Sequence, residues 1–152
     1  MNSTILRFGY PETLLRSYEH WVLLLRPDQV TLGSLILAAN SEATALADLP
    51  QAAFAELRIA VQDTERLLRS AVKAQKINYL MLMMVDPHVH YHVFPRYEGE
   101  RQAAGLTFPD LGWPAMPAIK EATRLSQKPV SLITRWLRDE LNVNASGSSS
   151  EA

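Results

Sequence analysis

"DPHVHYHVFPRY", residues 86–97, carries three of the chain's four histidines at every second position. On a β-strand, residues two apart point to one face, so His88, His90 and His92 form a row while Val89, Tyr91 and Val93 point to the other side. The apolar set supplies a core face, and the imidazoles supply a polar row above it. The stretch therefore predicts a strand with a dry face and a chemically loaded one.

Three uses of the row stay open on the residues alone. A solvent-facing polar row needs no chemistry, but His has no special preference for strands and three in register make an odd surface. A metal site is conceivable because His-x-His on a strand can bring two imidazole nitrogens to one ion. Two-residue steps set the outer pair about 13 Å apart on a straight strand, so three ligands on one ion need a bulge or a remote partner such as His20 or Asp86. Nucleophilic attack on phosphorus is the third use, with a neutral imidazole splitting one difficult displacement into two. His90 is flanked on both sides, and a protonated neighbour would keep it unprotonated near neutral pH. Its neighbours can donate hydrogen bonds to phosphoryl oxygens as charge redistributes.

The flanking sequence supplies a sheet for this strand. "INYLMLMMV", residues 77–85, is continuously apolar and short, which predicts a central strand joined to the histidine strand by a tight turn at Asp86-Pro87. "HWVLLLRP", residues 20–27, and "LGSLILAA", residues 32–39, predict an antiparallel pair connected through "DQVT". Between these pairs, Phe54, Leu57, Val61, Leu68 and Val72 recur near helical spacing, and Pro50 suits a first helical position, so a helix is predicted over about 50–74. "EGERQAAGLTFPDLGWPAMP", residues 98–117, shows no period and reads as an irregular excursion in which Phe108 and Trp113 act as anchors. A last helix is predicted over about 130–142, with Leu132, Ile133, Trp136, Leu137 and Leu141 on one face and Arg135, Arg138 and Asp139 opposite. The small, polar residues 143–152 predict a disordered tail.

The expected architecture is α+β: a single antiparallel sheet of about five strands, one long helix and a C-terminal helix. With 152 residues, 47% of them hydrophobic, the chain suits one domain over 1–142. A net charge of −1 argues against a general nucleic-acid binder. The lack of cysteine removes disulfides, thiol nucleophiles and thiolate metal ligands. No signal-peptide pattern or long apolar run is present, so the expected setting is cytoplasmic, with no membrane partner.

"HVHYHVF" fits the pattern His-φ-His-φ-His-φ-φ, with φ apolar, and the whole is similar to the histidine triad family. The following "PRY" resembles the Pro-Arg ending of its fragile histidine triad branch. "FGYPETLL" near the start, "VLLLRPDQVTLGSLIL" as a hairpin and the long helix before the paired strands follow the family's order. The resemblance covers about residues 4–97 and leaves 98–142 as an extension. It implies a nucleotide hydrolase or transferase acting at the α-phosphate of a nucleoside phosphate derivative, such as a dinucleoside polyphosphate or a nucleotide phosphoramidate. It further implies a nucleotidyl-histidine intermediate, no cofactor, no essential metal and a homodimer. His90 takes the place of the nucleophile, His92 of the phosphate or leaving-group contact, and His88 of the residue that arranges its neighbour. A nucleotide-binding module with little turnover and a metal site on His88 and His90 are the alternatives.

Three departures stand out. Gly33-Ser34 stands where the family usually has Gly-His. The family's polar segment with Gln and Ser or Thr before the triad is replaced by "LMMVDPHVH", leaving Asp86 or Arg96 to assist the leaving group. Arg26 stands where Asn or Asp often binds ribose; a guanidinium cannot accept from a hydroxyl, although it can pair with an extra phosphate. Arg96 is a further expected phosphate contact, and Phe8 is expected either to stack on a base or to sit in the core.

Overall fold

A computed structural model describes the backbone of residues 1–150 and the side chains of residues 1–143. Most of the tail expected to be disordered therefore lies outside the described side chains. The elements in order are α1 (Ser3–Arg7), β1 (Leu14–Ser17), β2 (Trp21–Leu25), β3 (Asp28–Gln29), β4 (Leu35–Ala39), α2 (Gln51–Leu67), β5 (Lys76–Leu80), β6 (His90–Arg96), β7 (Glu100–Ala103), β8 (Leu106–Pro109), β9 (Thr123–Arg124) and α3 (Gln127–Ser150). Five strands form the main sheet in the order β1-β2-β4-β6-β5, with every pairing antiparallel. The α+β architecture expected from the sequence is the one observed. No helix among the described residues is long and apolar enough to cross a membrane.

The two central apolar runs become β2 and β4, buried along their whole length because both faces of the sheet are covered. On one face Trp21, Leu23, Leu25, Leu35, Leu37 and Val93 pack with Ala53, Ala60 and Leu67 of α2 and with Ile133, Leu137 and Leu141 of α3. Each fully buried leucine there contributes about 1.5–3 kcal/mol relative to exposure. Trp21 Nε1 donates to the Ala53 carbonyl at 2.8 Å, which ties the sheet to the first turn of α2. The opposite face has a thinner cover: Ile5, Phe8 and Tyr10 lie over Val22, Leu24, Ile36 and Ala38. The histidine row opens on this thinly covered side.

Three sequence expectations need correction here, the first being the irregular excursion over 98–117: β7 and β8 pair within it as an antiparallel hairpin. β5 is an edge strand ending at Leu80, and residues 81–89 form a connecting loop, so neither the central strand nor the tight Asp86-Pro87 turn is found. The register explains the break: Leu80 pairs with His92, the strand ladder stops there, and the remaining apolar residues leave the sheet. The apolar stripe of α2 is also offset, since Ala53, Ala60, Thr64 and Leu67 are buried while Phe54 is exposed. A π-type turn over Leu68–Val72 extends that helix close to its expected end.

Gly33 turns the chain into β4 with φ +90°, where a Cβ would come within 2.9 Å of Val72 Cγ2. Only glycine meets both demands without strain. Ser34 stays inside this turn, its hydroxyl donating to the Thr31 carbonyl at 2.8 Å.

Candidate functional site

β6 places His90 and His92 on the α1 side of the sheet, and Val89, just before the strand, stays tied to it through Ala39 and Ala43. His88 is held by α1: Nδ1 lies 2.9 Å from Thr4 Oγ1, and Nε2 lies 3.1 Å from Glu42 Oε2. A carboxylate only accepts, so His88 Nε2 carries a proton. The Thr4 hydroxyl also receives the His88 backbone N–H at 3.4 Å, fixing ring and backbone together. α1 is itself anchored by Asn2, which caps Ile5 N and donates to the carbonyls of Ala39 and Ser41.

His90 Nδ1 lies 2.7 Å from the His88 carbonyl oxygen. That oxygen can only accept, so Nδ1 is the donor and the lone pair of a neutral ring is left on Nε2. His90 Nε2 has no hydrogen-bond partner among the described residues and is not sealed from solvent. His88 thus orients His90 through its main chain, while its own ring is occupied elsewhere.

His92 faces different partners. Arg26 Nε donates to His92 Nδ1 at 3.3 Å, and the ring stacks on Phe94 with centroids 6.1 Å apart. Burial, then the Arg26 cation, then His90 push the His92 pKa down to about 4. A protonated flanking residue was expected to act on His90; at His92 the pressure runs the other way, and the ring is kept neutral.

His90 and His92 lie on the floor of a cleft of about 460 Å³ lined by Arg7 of α1 and its C-cap Phe8, Arg26 to Asp28, Leu82 to Asp86, and Arg124. Phe8 sits beside the row, its ring centroid 5.6 Å from His90 and 6.0 Å from His92. Two arginines at the rim are paired, Arg7 with Asp86 at 3.3 Å and Arg124 with Asp28 at 3.0 Å. Apolar side chains hang over the same space: Met84 is 84% exposed and Val85 is 71% exposed.

Arg26, Phe8, His90 and His92 are therefore brought together as the sequence suggested, and Arg96 is not. Arg96 is buried at the far end of β6, in a bidentate pair with Asp110 at 2.8 and 3.1 Å, and it donates to Asn78 at 2.8 Å. Its guanidinium is spent on structure, away from the cleft. Thr4, Arg7, Glu42 and Arg124 join the site or its supports without any motif to announce them. Arg124 arrives on β9, a two-residue strand pairing with β3.

The donor atoms of the row do not converge on one point. Among the described residues, the one group of three His and carboxylate donors close enough to share an ion is Glu19 and His20 of the β1–β2 turn with Glu56 of α2.

No family model matches the sequence, and no curated protein does. Solved structures match in fold. A histidine triad protein from Sinorhizobium meliloti superposes with a TM-score of 0.68 at 20% identity, covering 95% of each chain. A hypothetical histidine triad nucleotide-binding protein from Sulfolobus tokodaii gives 0.67 at 19% identity, over 91% of this chain and 89% of its own.

The chain has the histidine triad fold.

The NitFhit protein of C. elegans shares the triad fold at a TM-score of 0.63 and 18% identity over 85% of this chain, which spans 27% of that protein's length. The fold is common to this chain and all three. In this chain the cleft holds an arginine bonded to the last histidine of the row and an apolar loop at its mouth.

Proposed function

We propose that the protein is a nucleotide hydrolase or transferase in which His90 Nε2 attacks the α-phosphorus of a nucleoside phosphate derivative. The observation that carries this reading is the His90 Nδ1 bond to the His88 carbonyl, which leaves the Nε2 lone pair on the cleft side. Attack forms a phosphorus–nitrogen bond and breaks the bond to the leaving group, which departs with that electron pair. Water, or another acceptor, then attacks the same phosphorus, and the nitrogen–phosphorus bond breaks to release the nucleotide.

His92, neutral and protonated on Nε2, donates to a non-bridging oxygen as charge builds during attack. His88 keeps the acceptor carbonyl in place. Phe8 offers an aromatic surface next to the row, and Arg26 offers a cation where a ribose acceptor was absent. A dinucleoside polyphosphate and a nucleotide phosphoramidate are the candidate substrates. β5 has no partner strand on its outer side, an edge that a second copy would extend in a homodimer, and the chemistry suits a cytoplasmic nucleotide pool.

A second reading has its own support: the loop at residues 82–85 puts leucine, methionine and valine at the cleft, with no polar group to assist a leaving group. That favours a nucleotide-binding module with slow turnover. Calorimetry with AMP, run beside turnover of a panel of adenine and guanine nucleotide derivatives, separates the two. Catalysis predicts turnover that His90→Ala abolishes. AMP binding with no turnover of any panel member would establish the binding module instead.

A further inference from the structure

Arg26 follows directly on β2 and reaches across the sheet to the last histidine of the row. Nε donates to His92 Nδ1 at 3.3 Å, and a second nitrogen donates to the Asp28 carbonyl at 2.6 Å. The third nitrogen of the guanidinium has no hydrogen bond among the described residues. The side chain is also propped from below, with its guanidinium carbon 5.7 Å from the centroid of Phe94. A planar group held by two bonds and a ring face has little freedom to turn, which a flexible lysine ammonium would retain.

We propose that Arg26 is a positioning residue for the reaction: it fixes His92 as the Nε2–H tautomer, so that a neutral donor faces the phosphoryl group. This rests on the proposed chemistry at His90, but its structural content does not depend on it. A guanidinium has no acceptor, so the bond to Nδ1 exists only if Nδ1 is bare. A neutral imidazole has one proton, which must then reside on Nε2. Without this bond either nitrogen can hold it, and the tautomer with a bare Nε2 presents a lone pair to an anionic oxygen, which repels it.

The groups around the ring favour the neutral state. Arg26 faces it from the end of β2, His90 and Phe94 flank it on β6, and Phe8, the C-cap of α1, lies beside it. Asp28 and Asp86, the carboxylates of the cleft, are paired with Arg124 and Arg7 and so are not isolated anions beside the ring. Burial and the adjacent cation both resist protonation, consistent with the downward shift of the His92 pKa. The arrangement supplies a donor without adding a charge that would have to be neutralised when a product nucleotide leaves.

Long-range proton–nitrogen NMR on the full chain, with ¹⁵N-labelled histidine and no ligand, tests this directly from pH 4 to 8. The wild type is expected to show a single Nε2–H form of His92 that stays neutral until pH is near 4. Arg26→Met, which keeps length but has no donor, is expected to give a mixture of tautomers and a titration moved up toward the ordinary histidine range. Arg26→Lys keeps the charge without the planar Nε–H, and is expected to hold the titration low yet lose the single tautomer. Unchanged His88 and His90 signals show that each variant is folded. A wild-type His92 protonated on Nδ1 would overturn the proposal, as would the same pure Nε2–H form in both variants.

Because these spectra need no nucleotide, failure of the hydrolase reading and failure of the tautomer assignment are separate results. With a turned-over nucleotide derivative in hand, Arg26→Met should lower kcat about 100-fold, more than it changes KM. A rise in KM at unchanged kcat would mark Arg26 as a binding group only and contradict the positioning role.

Discussion

The two ends of β6 treat their polar side chains in opposite ways. At the C-terminal end Arg96 is fully engaged by Asp110 and Asn78, and the Tyr97 hydroxyl both donates to the Phe108 carbonyl and accepts from Leu32 N. At the N-terminal end His90 and His92 each spend one ring nitrogen on a fixed partner and leave the other without one among the described residues. One end uses hydrogen bonds to close the structure; the other uses them to aim groups that remain open. Arg96 shares a face of β6 with His90 and His92, while Tyr97, one residue past the strand, turns into the core on the other side, so the difference lies in what the neighbouring segments bring to each end.

Substitutions at each end should therefore separate activity from stability. His90→Ala should show the largest effect, reducing kcat by roughly 10⁴-fold or more because the nucleophile itself is gone. Its urea midpoint should move far less than its activity, although the ring is 1% exposed and its removal leaves space beside Phe8 and His92. Asp110→Asn should do the reverse: it leaves a buried Arg96 without its counter-ion and should cost about 3 kcal/mol or more in chemical denaturation. The NMR signals of His90 and His92 should remain in place in that variant.

How much of this was legible in the sequence follows from how local each signal is. Strands β2, β4 and β6 and helix α2 announce themselves by apolar runs or by spacing, because burial acts on every second or every third to fourth residue. The role of the His88 carbonyl is equally local, two residues from the ring it orients. "INYLMLMMV" misleads because apolar composition does not tell a strand from a loop at a cleft; the ladder with β6 ends at Leu80, and nothing in the residues says so. Arg96 misleads for a related reason. Its partner lies 14 positions away in an aperiodic segment, so the pair is visible only once β7 and β8 have folded back. Arg124 reaches the cleft through pairing of Arg124 with Asp28, a contact between distant positions that no motif encodes.

The open end should also respond to pH. An unfolded His92 takes up its proton near 6.5, whereas the folded one does so near 4. Between those values the unfolded chain binds more protons, so stability falls as pH drops through that window and is recovered as pH rises. Urea midpoints measured at pH 7, 5.5 and 4.5 should fall less steeply in His92→Asn than in the wild type. An unchanged slope would mean that His92 is not the residue held neutral.

The smallest effect on stability is expected at the apolar rim. Met84→Ser and Val85→Ser change exposed side chains and should move stability by no more than about 0.5 kcal/mol. Nucleotide affinity by calorimetry should move further than that if the rim serves recognition, and an effect confined to stability would assign it to folding.

The central claim, that His90 is the nucleophile, is tested most directly by trapping. A brief incubation with a nucleotide derivative labelled at the α-phosphate, quenched in base and mapped by mass spectrometry, should place an acid-labile nucleotidyl group on His90 through Nε2. The label should vanish in His90→Ala and persist in Asp110→Asn. A label on another residue, or one that survives His90→Ala, would contradict the account.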